Sequence, residues 1–268
     1  MKNRSKFPMF VTIGVLVFLY APILVLIIYS FNDSRYPGAW QGFTLKWYRA
    51  LLEANSVEAR DIWRATRNTL LVAFCATIIS MVFGTLAAWA MYRFRSRLQS
   101  LHQMLVYAPL VVPDILMGIS LLMLFVNMNM SLGLTTIIIS HTTFCISYVA
   151  LVVLGRLQDF DHTLVDAARD LGANGFAVCV RILLPLLGPG IAAGGLLAFT
   201  LSVDDFVITF FTAGPGSTTL PVQVYSMMRH GTPTLINALS VIFIIVTFSV
   251  VIFSQRVLQK RDNSHPHI

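Results

Sequence analysis

Six stretches of this chain, at about residues 10–30, 69–91, 104–126, 136–154, 186–212 and 235–254, carry no lysine or arginine and are long and apolar enough to cross a bilayer core of roughly 30 Å as helices. That pattern constrains the fold more than any other feature. It predicts an all-α membrane protein of six transmembrane helices in a single membrane domain, residues 1–268, with no separate soluble domain. Composition agrees, since 56% of residues are hydrophobic, 12% are charged and the mean hydropathy is +0.75, far from the soluble average. The first window follows Lys2, Arg4 and Lys6, but it is too long for a signal-peptide core and lacks a small-x-small cleavage site. It reads as a retained first span.

Positive charge sets the orientation. With both termini cytoplasmic, the cytoplasmic segments hold Lys2, Arg4, Lys6, Arg93, Arg95, Arg97, Arg156, Arg169, Arg181, Arg256, Lys260 and Arg261. The outer segments hold fewer: Arg35, Lys46, Arg49, Arg60, Arg64 and Arg67 in the first loop, and Arg229 in the third. The bias follows the positive-inside rule, although the first outer loop is unusually basic for an external segment. The net charge of +7 therefore reflects membrane topology, with lipid and not nucleic acid as the expected surroundings. Trp40, Phe43, Trp47 and Tyr48 in that loop suit either an interfacial anchor or a docking surface for an external partner, and residues 45–52 can form a short interfacial helix. Small residues at four-residue spacing, Gly84 with Ala88 and Gly190 with Gly194, predict close helix packing.

Three carboxylates lie inside the apolar windows: Asp114 in the third, Asp204 and Asp205 in the fifth. A lone aspartate at the centre of a span costs roughly 2.5–3.5 kcal/mol on insertion scales, and no lysine or arginine in any window offsets it. Each must face either a polar pathway or a polar packing contact. Asp114 follows Pro109 and Pro113, which bend or break a helix and free carbonyls beside the carboxylate, as a cation site requires. Asp204 and Asp205 are adjacent, so on one helix they point about 100° apart and cannot serve one ligand together. Tyr148, Phe206, Phe210 and Phe211 offer ring faces to an ammonium group. His141, at the start of the fourth window, reads as an interface or packing residue.

Other chemistries find little support. Cys75 and Cys145 lie in apolar windows and Cys179 in a polar loop, with no disulfide or metal spacing. Gly214-Pro215-Gly216-Ser217-Thr218-Thr219 lacks the lysine of a phosphate-binding loop, so ATP and its Mg are not expected on this chain, and neither is any other cofactor. No nucleophile–base pair is evident among the intramembrane residues, which argues against an enzyme.

The polar run between the fourth and fifth windows, about residues 155–185, is the most specific motif. Asp166-Ala167-Ala168, Gly172, Ile182 and Leu184-Pro185 stand at the spacings of acid-Ala-Ala, three residues, Gly, nine residues, Ile, any residue, Leu-Pro. The alanines give a small flat helical face, Gly172 a turn, and a second short helix is expected to run to Pro185. This resembles the cytoplasmic EAA loop of ABC-importer permeases, with Asp166 where glutamate is usual. The resemblance implies the type I importer permease fold and a loop that docks on an ATP-hydrolysing subunit.

A narrower resemblance covers nearly the whole chain. Tyr29-Ser30-Phe31-Asn32, Leu110 to Leu116 with its Pro113-Asp114 pair, Ser140 to Cys145, Phe199 to Phe206 with Asp204-Asp205, and Tyr225 to Met228 are similar to PotC/PotI-type permeases of spermidine/putrescine importers. It implies a multi-pass bacterial inner-membrane subunit that works by alternating access beside a second permease, two ATPase subunits and an external polyamine-binding protein. Intramembrane carboxylates without competing cations suit such a cargo. Two rivals stay open: the same family with a basic amino acid or metal complex as cargo, and a proton-coupled cation carrier.

Overall fold

The structure is a computed structural model that describes residues 7–34, 38–93, 98–158, 163–230 and 233–262. The helices in chain order are α1 (Phe7–Tyr29), α2 (Lys46–Glu53), α3 (Val57–Arg93), α4 (Gln99–Val111), α5 (Asp114–Asn127), α6 (Leu134–Gln158), α7 (Thr163–Asp170) and α8 (Gly175–Val178). A π-helical stretch, Cys179–Leu183, leads into α9 (Leu184–Asp204), followed by α10 (Val207–Thr212), α11 (Leu220–His230) and α12 (Pro233–Asp262). Among the described residues no strand forms, and Asn32 and Phe43 make an isolated bridge.

By length and apolarity, α1, α3, α6 and the continuous run Gly175–Asp204 can each cross a membrane. The third window is not one straight span. It is the pair α4 and α5, bent by 111°, because Pro113 bars Val112 from the α region and leaves it extended at φ −69°, ψ 129°. Pro109, by contrast, is carried within α4. The fifth window also breaks, since α9 ends at Asp204 and Asp205 is extended at φ −65°, ψ 124°. The two aspartates therefore do not share a helix. The sixth window falls in α12, whose apolar part is Thr234–Ser249.

The chain divides into two compact units, Met1–Trp63 with Val224–Ile268, and Arg64–Gln223. In the first, α12 packs on α1 and α2, and the loop after α1 is organised by buried Asn32. Its amide donates to the Ala39 carbonyl at 2.9 Å, while its own oxygens accept from Gln41 N and the Trp47 indole at 2.8 Å each. Phe31 stacks on Phe43 at 5.4 Å, and Ser30 shares a 2.6 Å hydrogen bond with the Tyr48 hydroxyl.

In the second unit α6 is central, flanked by α4, α9 and α10, with α10 also against α5. Buried Cys145, Val149, Val153 and Leu157 form its core face. A Cβ on Gly84 would stand 2.7 Å from Val149 Cβ, and one on Gly194 would stand 3.3 Å from Val149 Cα. Gly84 and Gly194 thus let two helices close on the same turn of α6, while Gly190 faces Arg156 two turns on, where a Cβ would stand 3.1 Å from Arg156 Cβ.

Candidate functional site

Both helix breaks open onto one cleft of about 300 Å³. Pro109, Asp114, Phe144, Tyr148, Thr200, Leu201, Asp204, Asp205, Phe206, Val207 and Ile208 line it. Every carboxylate expected in the pathway is there, with the rings of Tyr148 and Phe206 beside them and no basic residue in the lining. Phe210 and Phe211 are not in the lining. They meet each other edge-on at 5.5 Å, and Phe211 occupies the space where a Gly118 side chain would fall, 2.7 Å from its Cβ position.

The three carboxylates differ in state. Asp114 opens α5, where the helix dipole favours a negative charge. Asp114 and Asp204 are exposed and form no hydrogen bond or ion pair with the described residues. Asp205 is held from several sides. Thr209 N and Thr209 Oγ1 donate to its Oδ2 at 2.8 Å each, Ile208 N donates to Oδ1 at 3.3 Å, and His141 Nε2 lies 3.2 Å from Oδ2. These donors explain the break after Asp204, because the carboxylate caps α10 and so competes with continuation of α9.

His141 is a buried residue between helices, as expected, and it is hydrogen-bonded there. Fully buried, it places Nδ1 2.7 Å from Ser202 Oγ and Nε2 2.8 Å from Thr209 Oγ1. A serine, a histidine and an aspartate thus do come into line, against the expectation that no nucleophile–base pair assembles. Ser202 is buried and absent from the cleft lining, and its hydroxyl is engaged by His141. The sequence signal that was missed is a histidine in a window otherwise free of basic side chains.

At the expected coupling loop, α7 ends in a Schellman motif. Ala173 N donates to Ala168 O at 3.0 Å and Gly172 N to Arg169 O at 2.8 Å, with Gly172 left-handed at φ +85°. Asn174 caps α8, its side chain accepting from Ala177 N at 2.8 Å. The second helix does not stop at Pro185. It continues through the π-helical stretch into α9, because the widened turn makes room for a ring that would otherwise meet the carbonyl four residues back. Ala167, Leu171, Phe176, Leu184 and Pro185 are exposed, Leu171 at 89% and Phe176 at 78%, while Ala168 and Ile182 are half-buried. The Asp166 side chain lies outside the described residues.

The model of the family described as "Binding-protein-dependent transport system inner membrane component" matches residues 80–262. Over 252 residues, 94% of each chain, the sequence is 38% identical to the spermidine/putrescine transport system permease protein PotC of Escherichia coli strain K12. Over 248 residues it is 41% identical to the putrescine transport system permease protein PotI of the same strain, covering 90% of this chain and 86% of PotI. Among solved structures it is similar, at TM-score 0.70 and 16% identity, to a chain of a bacterial ABC transporter involved in alginate import, covering 96% of this chain and 98% of that one. It is also similar, at TM-score 0.62 and 18% identity, to a chain of the MetNI methionine ABC transporter in an inward-facing conformation, covering 81% and 99%. At such identities the structural likeness speaks for the fold.

Proposed function

The chain belongs to the inner-membrane components of binding-protein-dependent transport systems, a family of multi-pass permease subunits of ABC importers, and we propose that its cargo is a polyamine of the putrescine or spermidine class. The observation that carries this reading is the cleft in which Asp114 and Asp204 stand without partners among the described residues, flanked by Tyr148 and Phe206 and by no basic side chain. Ammonium groups leaving water need carboxylates and ring faces. Binding must also stay weak enough for release, and a small number of carboxylates in an open cleft meets that condition. The names of PotC and PotI point to the same cargo.

In this reading both termini are cytoplasmic and six spans form one membrane domain, with α4 and α5 together forming the third. A sister permease completes the pathway, two ATPase subunits carrying ATP and Mg dock on the segment from Asp166 to Pro185, and an external binding protein delivers the cargo. Closing and reopening of the ATPases rocks the permeases and exposes the cleft to one side of the membrane and then the other.

The test is uptake into proteoliposomes holding the permease pair and both ATPases, with binding protein outside and ATP inside. Labelled putrescine or spermidine should accumulate only with ATP and binding protein, and Asp114→Asn should abolish most of it. Accumulation of arginine in place of polyamines would move the cargo to basic amino acids. Uptake by this chain alone that collapses with a protonophore would replace the reading with a proton-coupled carrier.

A further inference from the structure

Adjacent carboxylates at the end of a membrane helix would ordinarily both seek a cation. Here a buried polar chain takes one of them out of play. Thr209 Oγ1 donates its proton to Asp205 Oδ2, so towards His141 Nε2, 2.8 Å away, it is an acceptor. Nε2 therefore carries a proton, and in the neutral ring Nδ1 accepts from Ser202 Oγ at 2.7 Å. The donors run in one direction, from Ser202 on α9, through His141 on α6 and Thr209 on α10, to Asp205 in the joint between α9 and α10. Each side chain in the chain is at least nine-tenths buried.

We infer that His141 is a positioning residue of the cleft: its imidazole holds Asp205 inside the α9–α10 joint, so that Asp204 rather than Asp205 is presented to a cationic ligand. Thr209 supplies both a backbone and a hydroxyl donor to Asp205, and His141 Nε2 bonds that hydroxyl while standing 3.2 Å from the same Oδ2. Without that N–H the hydroxyl loses the donor that polarises it and the carboxylate loses the positive ring edge beside it, at a site with little water to replace either. Its alternative is to swing into the cleft. The corner then unwinds differently and Asp204 moves with it.

The assay is performed on the complete transporter, with Cys75, Cys145 and Cys179 replaced by alanine and Asp204→Cys as reporter. A cationic methanethiosulfonate reagent labels the reporter from the cleft. His141→Gln keeps an N–H near the Nε2 position, whereas His141→Asn reaches only towards Ser202. Labelling in His141→Gln should stay within about threefold of the parent, and His141→Asn should slow it about tenfold, the scale of one lost hydrogen bond to a buried charge. Adding Asp205→Asn to His141→Asn should restore most of the rate, because an amide tolerates the lost donor better than a carboxylate does.

Equal rates in all variants, no restoration by Asp205→Asn, or failure of His141→Gln to assemble would each assign His141 to packing alone and overturn the inference. The inference rests on the cleft being a cation pathway but not on the identity of the cargo. If the transporter with Asp204 intact takes up no polyamine while the Asp204→Cys series labels as described, the cargo is refuted and His141 keeps its role.

Discussion

Replacing Gly172 isolates the geometry of the expected coupling loop from its volume. The residue sits at φ +85° as the left-handed closure of the Schellman motif after α7, and a Cβ built there has nothing within 4 Å. A substitution therefore meets no neighbour, and its cost is conformational. Placing an L-residue in the left-handed region costs roughly 1–2 kcal/mol, which reduces the population of this loop conformation by a factor of about 5–30. Asparagine tolerates the region better than alanine, and a β-branched residue worse. The expected order of retained function is Gly, Asn, Ala, Val. The assay is ATPase-subunit co-purification at limiting ATPase together with cargo-stimulated ATP hydrolysis, while the yield of the permease pair reports insertion. The Val variant should lose coupling at wild-type membrane yield. If it co-purifies and couples as the parent does, the left-handed turn is irrelevant to docking and the reasoning fails.

Leu171→Asp and Phe176→Ser change side chains that are 89% and 78% exposed, so both should leave thermal stability within about 0.5 kcal/mol while weakening ATPase co-purification. Asp205→Ala removes the acceptor for Ile208 N and Thr209 N and should lower the stability of the purified complex by about 0.5–2 kcal/mol; Asp204→Ala should leave the melting temperature unchanged and reduce uptake. Gly84→Ala forces a methyl to within 2.7 Å of Val149 Cβ, an overpacking of about 1–3 kcal/mol, visible as a lower melting temperature of the complex. Pro113→Ala frees Val112 to become helical, which moves Asp114 away from a helix start and its dipole support of about 0.3–1 kcal/mol; uptake should drop with assembly intact, and wild-type uptake would count against the break as a functional element.

The apolar windows were legible because a bilayer demands them at a fixed length. So were the residues of the cleft: Asp114, Tyr148, Asp204, Asp205 and Phe206 all line one cavity, and an acid inside a span has few places to go. What the sequence could not distinguish was Asp204 from Asp205. Adjacent identical side chains carry no mark of which is satisfied, and the answer lies in His141 and Ser202, brought in from α6 and α9 by packing. Pro185 misled in the other direction. A proline after a short helix reads as a stop, but a π-helical turn ahead of it lets Gly175–Asp204 run as one span.

The cleft exists because two helices break at the same place, and the breaks are held by different means. At Val112 the cause is covalent, since the ring of Pro113 excludes the helical conformation whatever surrounds it. At Asp205 the cause is a set of hydrogen bonds, from Ile208 N and Thr209, with His141 Nε2 3.2 Å away, and those depend on neighbours staying in place. Irregular backbone at membrane depth is tolerable only where it is bonded within the protein or faces a polar cavity, and here the capped joint meets the first condition while the cleft meets the second. Asp114 and Asp204, the residues at the helix ends on either side, are left as the cleft's unbonded carboxylates, so the same two interruptions that open the space also supply the charge that a cation would need there.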